Sequence, residues 1–219
     1  MELLTHHGIK GQKWGVKNGP PYPIDKSERK MVALKKGSTA YRVATIPNET
    51  DKGYAFISYK DKDHEKYINS TKAMQEVFGN AWEGFDMTLK VTKDLVVPTK
   101  KYAVDELIKA VSRDPALKKE YAKAASKMHI FKPSPIIKKE LESAKSEKEV
   151  AKIYRDISLA AATSSDFRNK YFSRLQSQGY SAMYDGGDMD GKGANTEAPI
   201  LVFERKGYLD VVDVKAITS

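Results

Sequence analysis

The stretch Thr39-Ala40-Tyr41-Arg42-Val43-Ala44-Thr45-Ile46 decides the fold of this chain. Polar and apolar residues alternate along it, and its β-branched and aromatic side chains suit a pleated surface. Turn-forming residues stand at both ends, Gly37-Ser38 before it and Pro47-Asn48 after it. The pattern therefore predicts a strand.

Further strands are predicted on both sides of a long middle segment. On the N-terminal side they cover residues 53–59, 82–92 and 95–97; on the C-terminal side they cover residues 179–184, 199–203 and 208–214. The acids Asp61 and Asp63 follow the second strand and suit the start of a helix. A strand that delivers its last residues to a helix start is a common place for chemistry.

The middle of the chain, residues 100–178, is rich in Ala, Lys, Glu, Leu and Ile at helical spacing. Breaks at Asp114-Pro115 and at residues 132–135 divide it into four or five helices. Ser146 followed by Glu149 forms a capping-box signature that predicts one helix start. We therefore expect an α+β domain over residues 37–219, with a mixed or antiparallel sheet built from the N- and C-terminal strands around this helical segment.

Composition limits the partners and the chemistry. The 219 residues carry a net charge of +9 and include no cysteine, which excludes disulfides, a thiolate zinc site and a cysteine nucleophile. Residues 1–36 hold eight Lys or Arg and three Asp or Glu. This basic surplus favours DNA, RNA, acidic proteins or anionic lipid, although a merely solubilising tail has the same charge. No apolar segment is long enough to cross a bilayer, so no membrane association is expected.

The N-terminal residues read as a tag followed by a flexible linker that ends at residue 36. His7-Gly8-Ile9-Lys10-Gly11-Gln12-Lys13-Trp14-Gly15-Val16 has no helical or strand period, and the Pro- and Gly-rich residues 18–23 break either element. The string closely resembles a short element of structural and cargo proteins encoded by bacteriophages and prophages of Gram-positive bacteria. The resemblance implies a virion-associated protein or one in the bacterial host cytoplasm, with residues 6–17 contacting the capsid or packaged DNA.

Three short motifs, two in predicted strands and one just before a predicted strand, resemble those of mono-ADP-ribosyltransferases. They are Tyr41-Arg42-Val43, Phe56-Ile57-Ser58-Tyr59 and Asn195-Thr196-Glu197, in the family's order of arginine, serine and glutamate. The later residues Gly179-Tyr180-Ser181-Ala182 and Glu197-Ala198-Pro199, before Val202-Phe203, are similar to a pattern in related phage and mobile-element proteins. The resemblance spans about residues 38–217 and implies an ADP-ribosyltransferase-like fold with NAD as cofactor.

The resemblance also implies a role for each motif residue. Arg42 and Ser58 hold NAD together with the neighbouring Tyr41 and Tyr59, because a guanidinium can bind a diphosphate through two donors and a hydroxyl can orient the cofactor. Glu197 is the catalytic carboxylate that hydrogen-bonds a ribose 2′-hydroxyl and stabilises positive charge as nicotinamide leaves. Asn195 helps to orient the acceptor, which is a host protein or another macromolecule.

Two departures from the family pattern leave alternatives open. The second strand offers one hydroxyl, Ser58, where the family has three small hydroxyl-bearing residues, and Asn195 replaces a Gln or Glu. Arg42 could instead pair with an acid, Ser58 could cap a helix, and Glu197 could be a solvated loop residue. The chain would then be a non-catalytic virion or host-interaction protein that keeps the fold, or a nucleic-acid-associated protein that uses its basic tail.

Metal sites are weakly indicated. Residues 186–197 match an EF-hand at loop positions three, five, six and twelve, but Gly186 occupies position one and both flanks are predicted strands, where an EF-hand requires helices. His64 and His129 each lack a partner at metal-ligand spacing, so structural roles are expected for both. We therefore expect no metal cofactor.

Overall fold

The computed structural model describes residues 22–23, 29–46, 53–79, 82–128, 146–186 and 196–218. These residues form an α+β architecture, as the sequence predicts. The strands pair antiparallel throughout, in three sheets of three strands each. The predicted tag at residues 6–17 and the candidate residues Asn195 and His129 lie outside the described residues.

Nine strands are described. They are β1 Tyr22–Pro23, β2 Lys30–Leu34, β3 Thr39–Ala44, β4 Ala55–Ile57, β5 Phe85–Val91, β6 Leu95–Pro98, β7 Ala182–Tyr184, β8 Ile200–Val202 and β9 Leu209–Ala216. The three sheets have the orders β1-β2-β6, β3-β5-β9 and β4-β8-β7. Strands from the two ends of the chain thus pair directly in two of the sheets.

The assignment of the whole segment 1–36 to a flexible linker is wrong for β2. Lys30–Leu34 pairs with β6 along its length, and Val32, Ala33 and Leu34 are buried. The physical reason is the apolar run of residues 31–34, which gains more from burial than a solvated linker would. The sheet structure therefore begins before the residue 37 boundary expected from the sequence.

Five helices are described. They are α1 Asp61–Phe78, α2 Lys100–Arg113, α3 Pro115–Met128, α4 Glu147–Thr163 and α5 Ser165–Gln176. The predicted capping box is confirmed, because the Ser146 side chain accepts from the Glu149 N–H and the Glu149 side chain accepts from the Ser146 N–H. The break at Asp114-Pro115 is also present, with the Asp114 carboxylate accepting from the N–H groups of Ala116 and Leu117.

Two clusters of buried apolar residues hold the domain together. The first joins helices α2 to α5 and includes Leu107, Ile157 and Phe167. The second lies among the strands and includes Leu89 and Ile200. No described helix is long and apolar enough to cross a bilayer.

Candidate functional site

Strands β3 and β4 meet at the predicted motif residues. Tyr41 and Ser58 exchange two backbone hydrogen bonds, N–H to carbonyl, of 2.7 and 2.8 Å. Directly paired residues present their side chains on the same face, so Tyr41 and Ser58 share a face and Arg42 projects from the other. Ala40 and Ala44, both buried, flank Arg42 on that second face. The Arg42 Nη1 donates to the Phe56 carbonyl at 3.2 Å, so the guanidinium lies beside the middle of β4.

Ser58 is deeply buried. Its exposed fraction is 1%, and its hydroxyl has no hydrogen-bond partner among the described residues. Buried hydroxyls are normally satisfied, so this group is a polar atom that a ligand or a water could engage. Ser58 does not cap α1: the residue before the helix is Lys60, and no side chain caps the helix start.

Glu197 lies directly opposite Lys60. The register of β4 with β8 pairs Ile57 with Ile200, and continuing it by three residues brings Lys60 and Glu197 together. The Lys60 Nζ donates to the Glu197 Oε2 at 2.6 Å, and the two side chains are 40% and 59% exposed. This contact holds the pKa of Glu197 below its usual value and raises the pKa of Lys60. Glu197 is therefore ionised and solvent-accessible at neutral pH.

The first two turns of α1 hold the backbone around Glu197. The Asp63 carboxylate is fully buried, and its two oxygens accept from the N–H groups of Glu197 at 2.8 Å and Ala198 at 2.9 Å. The hydroxyl oxygens of Tyr67 and Thr196 lie 3.5 Å apart. Three consecutive residues, 196–198, are thus bound by side chains from one face of the helix start. Glu197 is thus an exposed loop residue whose backbone is held by α1.

The two tyrosines assigned to the cofactor site differ in environment. Tyr59 is half-buried beside Tyr184, and burial raises the pKa of both phenols, so both are neutral at physiological pH. Tyr41 stacks on the His64 ring at 4.5 Å between centroids. The His64 Nε2 lies 3.0 Å from the Asp86 Oδ1. The two His64 contacts pack α1 against β3 and β5 on the face that carries Tyr41.

The described candidate residues lie around one junction, where β3 and β4 meet the start of α1 and the turn before β8. Tyr41 on β3 pairs with Ser58, which follows β4, and Glu197 lies opposite the residue two positions after Ser58. Arg42 projects from the face of β3 opposite to Tyr41 and Ser58 and bonds the Phe56 carbonyl there. Two cavities of about 380 and 500 Å³ lie elsewhere, one beside Tyr54 and Phe203 and one beside Trp82, and neither is lined by Arg42, Ser58 or Glu197.

The sequence analysis did not identify Lys60, Asp63 or Tyr67 as part of this junction. The acids at the start of α1 were a visible signal for a helix N-terminus, but Asp63 uses its carboxylate on a distant turn. Only the pairing of β4 with β8 shows that these residues meet Glu197. The spacing of residues along the chain does not predict that pairing.

The described residues can be compared with the metal sites considered from the sequence. Strands β7 and β8 flank the loop that partly matches an EF-hand, where an EF-hand needs helices, and most of the loop itself is outside the described residues. Among the described residues, no group of three or more His, Asp or Glu side chains is arranged to hold a metal ion.

Comparisons with known proteins give no match. No protein-family model, no curated protein and no solved structure is significantly similar to this chain. The geometry of the junction is therefore the basis for a functional proposal.

Proposed function

We propose that this chain is a phage- or prophage-encoded ADP-ribosyltransferase-like protein that uses NAD to modify a host macromolecule. The observation that carries the proposal is the junction itself. Tyr41 pairs with Ser58 through the backbone, and the Arg42 guanidinium bonds the Phe56 carbonyl from the other face of β3. Glu197 lies across from Lys60, two residues after Ser58. This proximity of three motifs that are distant in the chain supports the proposal. The tag-like N-terminus supports a virion-associated protein or one acting in the host cytoplasm.

In the proposed reaction, the bond between nicotinamide and the ribose C1 breaks, and nicotinamide leaves as a neutral molecule. A new bond forms between that carbon and an acceptor nucleophile, whose proton passes to solvent. Glu197 accepts a hydrogen bond from the ribose 2′-hydroxyl and stabilises the positive charge that develops on the sugar. Its ionised state and exposed side chain suit this role.

The remaining residues bind the cofactor in this proposal. Arg42 offers a planar guanidinium to the NAD diphosphate or nicotinamide edge. The buried Ser58 hydroxyl orients the bound cofactor, while Tyr41 and Tyr59 provide neighbouring aromatic surface. Asn195, two residues before Glu197, orients the acceptor. NAD must displace Lys60 from Glu197 for the carboxylate to reach the ribose.

A second candidate is a non-catalytic virion or host-interaction protein that keeps this architecture. The observation that favours it is the 2.6 Å contact between Lys60 and Glu197, because this contact occupies the carboxylate that would perform the chemistry. The burial of Ser58 also favours a non-catalytic protein. Its side chain is 1% exposed, so a cofactor cannot reach the hydroxyl without rearrangement.

Incubation with labelled NAD and host lysate separates the two candidates. We expect wild-type protein to consume NAD or transfer the label, and Glu197→Gln to lower the rate by about 100- to 1000-fold, as removal of one transition-state contact does. Glu204→Gln, at an exposed position just after β8, is the matched control and should retain activity. Absence of NAD binding and turnover in the wild type would favour the non-catalytic protein.

A further inference from the structure

Asp63 is a buried carboxylate whose described hydrogen bonds all go to the backbone beside Glu197. Its side chain is fully buried in the first turn of α1, and its two oxygens accept hydrogen bonds from consecutive backbone N–H groups, those of Glu197 and Ala198. Taking a carboxylate out of water is strongly unfavourable unless its oxygens find good donors. Here each oxygen has one, at 2.8 and 2.9 Å, and hydrogen bonds to an ionised acceptor are about twice as strong as neutral ones.

The arrangement fixes the main chain of Glu197 but leaves its side chain accessible. Asp63 holds the Glu197 N–H, the Tyr67 hydroxyl lies 3.5 Å from that of Thr196, and Lys60 holds the carboxylate from the exposed side. The main-chain contacts are buried, whereas the Lys60 contact is exposed to water. A ligand can therefore exchange with Lys60 without moving the turn.

We propose that Asp63 is a positioning residue, which sets the place of the Glu197 carboxylate relative to the strand that carries Ser58. This inference rests on the proposed NAD site, whose chemistry depends on where the carboxylate is held. Preorganised groups are effective because they need no rearrangement as charge develops, and small displacements of such groups lower rates strongly. A buried aspartate that binds two adjacent amides supplies such rigidity from the neighbouring helix.

The test compares Asp63→Asn with Glu106→Gln. Asparagine keeps the size of the side chain but loses the charge and places an N–H₂ group against one of the two amides. Glu106 is the matched control, because it is also a buried helical carboxylate but binds Lys109, Arg174 and Gln178. We expect Asp63→Asn to lower kcat for NAD consumption by about 10- to 100-fold. We expect KM for NAD to change by less than about twofold, because Asp63 is placed on the turn and not on the cofactor.

Amide hydrogen exchange gives a readout that does not depend on turnover. The Glu197 and Ala198 amides should exchange slowly in the wild type and about tenfold or more faster in Asp63→Asn, since local protection is lost with the hydrogen bonds. Glu106→Gln should leave both amides protected. If Asp63→Asn does not fold, Asp63→Ser supplies a smaller neutral side chain for the same comparison.

The outcomes separate this inference from the proposed function. Unchanged kcat in Asp63→Asn would overturn the positioning role even if the amides exchange faster, as would fast exchange of these amides in the wild type. If the wild type does not turn over NAD, the proposed function fails, and exchange of the Glu197 and Ala198 amides decides the inference. Faster exchange in Asp63→Asn than in the wild type supports positioning by Asp63, and unchanged exchange overturns it.

Discussion

At the scale of single residues, the pair formed by Lys60 and Glu197 is a chemical feature more than a source of stability. Both side chains are substantially exposed, and ion pairs in such positions contribute little to the free energy of unfolding. Their effect is on protonation, because the lysine favours the ionised form of the carboxylate. An ionised carboxylate is the state required to stabilise a positively charged sugar.

Replacing Lys60 should therefore change the titration of Glu197. We expect Lys60→Met to raise the pKa of Glu197 towards its ordinary value, as measured by NMR of the carboxyl carbon across acidic pH. Because the folded-state pKa is lowered, the pair stabilises the folded protein above the unfolded-state pKa, and this contribution is lost as pH falls through the folded-state pKa. Lys101→Met, which breaks only the contact with Asp105, should leave Glu197 unaffected. An identical titration curve in Lys60→Met would contradict the assignment.

At this scale, the sequence indicated candidate positions but not the residues that those positions contact. Ser58 and Glu197 were selected by motif resemblance, and they lie just after β4 and three residues before β8. Their surroundings were not visible, since Asp63 appeared only as an ordinary acid at a helix start. Its carboxylate reaches amides 134 and 135 residues away in the chain.

At the scale of elements, local patterns predicted most strands and helices. Alternation identified β3 and β5, and turn residues identified their ends. Local patterns did not predict β2. Its apolar run stands beside Lys30, Lys35 and Lys36, so the segment resembles the end of a basic linker. The pairing of β2 with β6 outweighs this local charge, because Val32 to Leu34 are buried by residues distant in the chain.

The capping box of α4 gives a prediction at this scale. Ser146→Ala removes the acceptor for the Glu149 N–H, and we expect it to lower the free energy of unfolding by about 1 kcal/mol. Urea denaturation followed by circular dichroism measures the change. Ser112→Ala is the control, because that exposed side chain bonds only the Lys109 carbonyl within α2. A loss no larger than that of the control would show that the cap does not stabilise the helix.

At the scale of the whole molecule, long-range pairing creates the candidate site. Phe56 pairs with Leu201, and β5 pairs with β9, so strands from the first and last parts of the chain lie side by side in the same sheets. The sequence predicted strands at both ends and an α+β class. It did not predict the division into three three-stranded sheets, because register and sheet partition depend on packing between distant segments and not on local periodicity.

The central claim is that this long-range packing builds an NAD site around Arg42, and equilibrium binding tests it most directly. Isothermal titration calorimetry of the full chain with NAD should show saturable binding. Arg42→Lys should raise Kd by about tenfold or more, since a lysine loses the two-donor contact of a guanidinium. Arg113→Lys, at the exposed end of α2, should bind NAD as the wild type does. No measurable binding by the wild type, or equal binding by Arg42→Lys, would contradict the account.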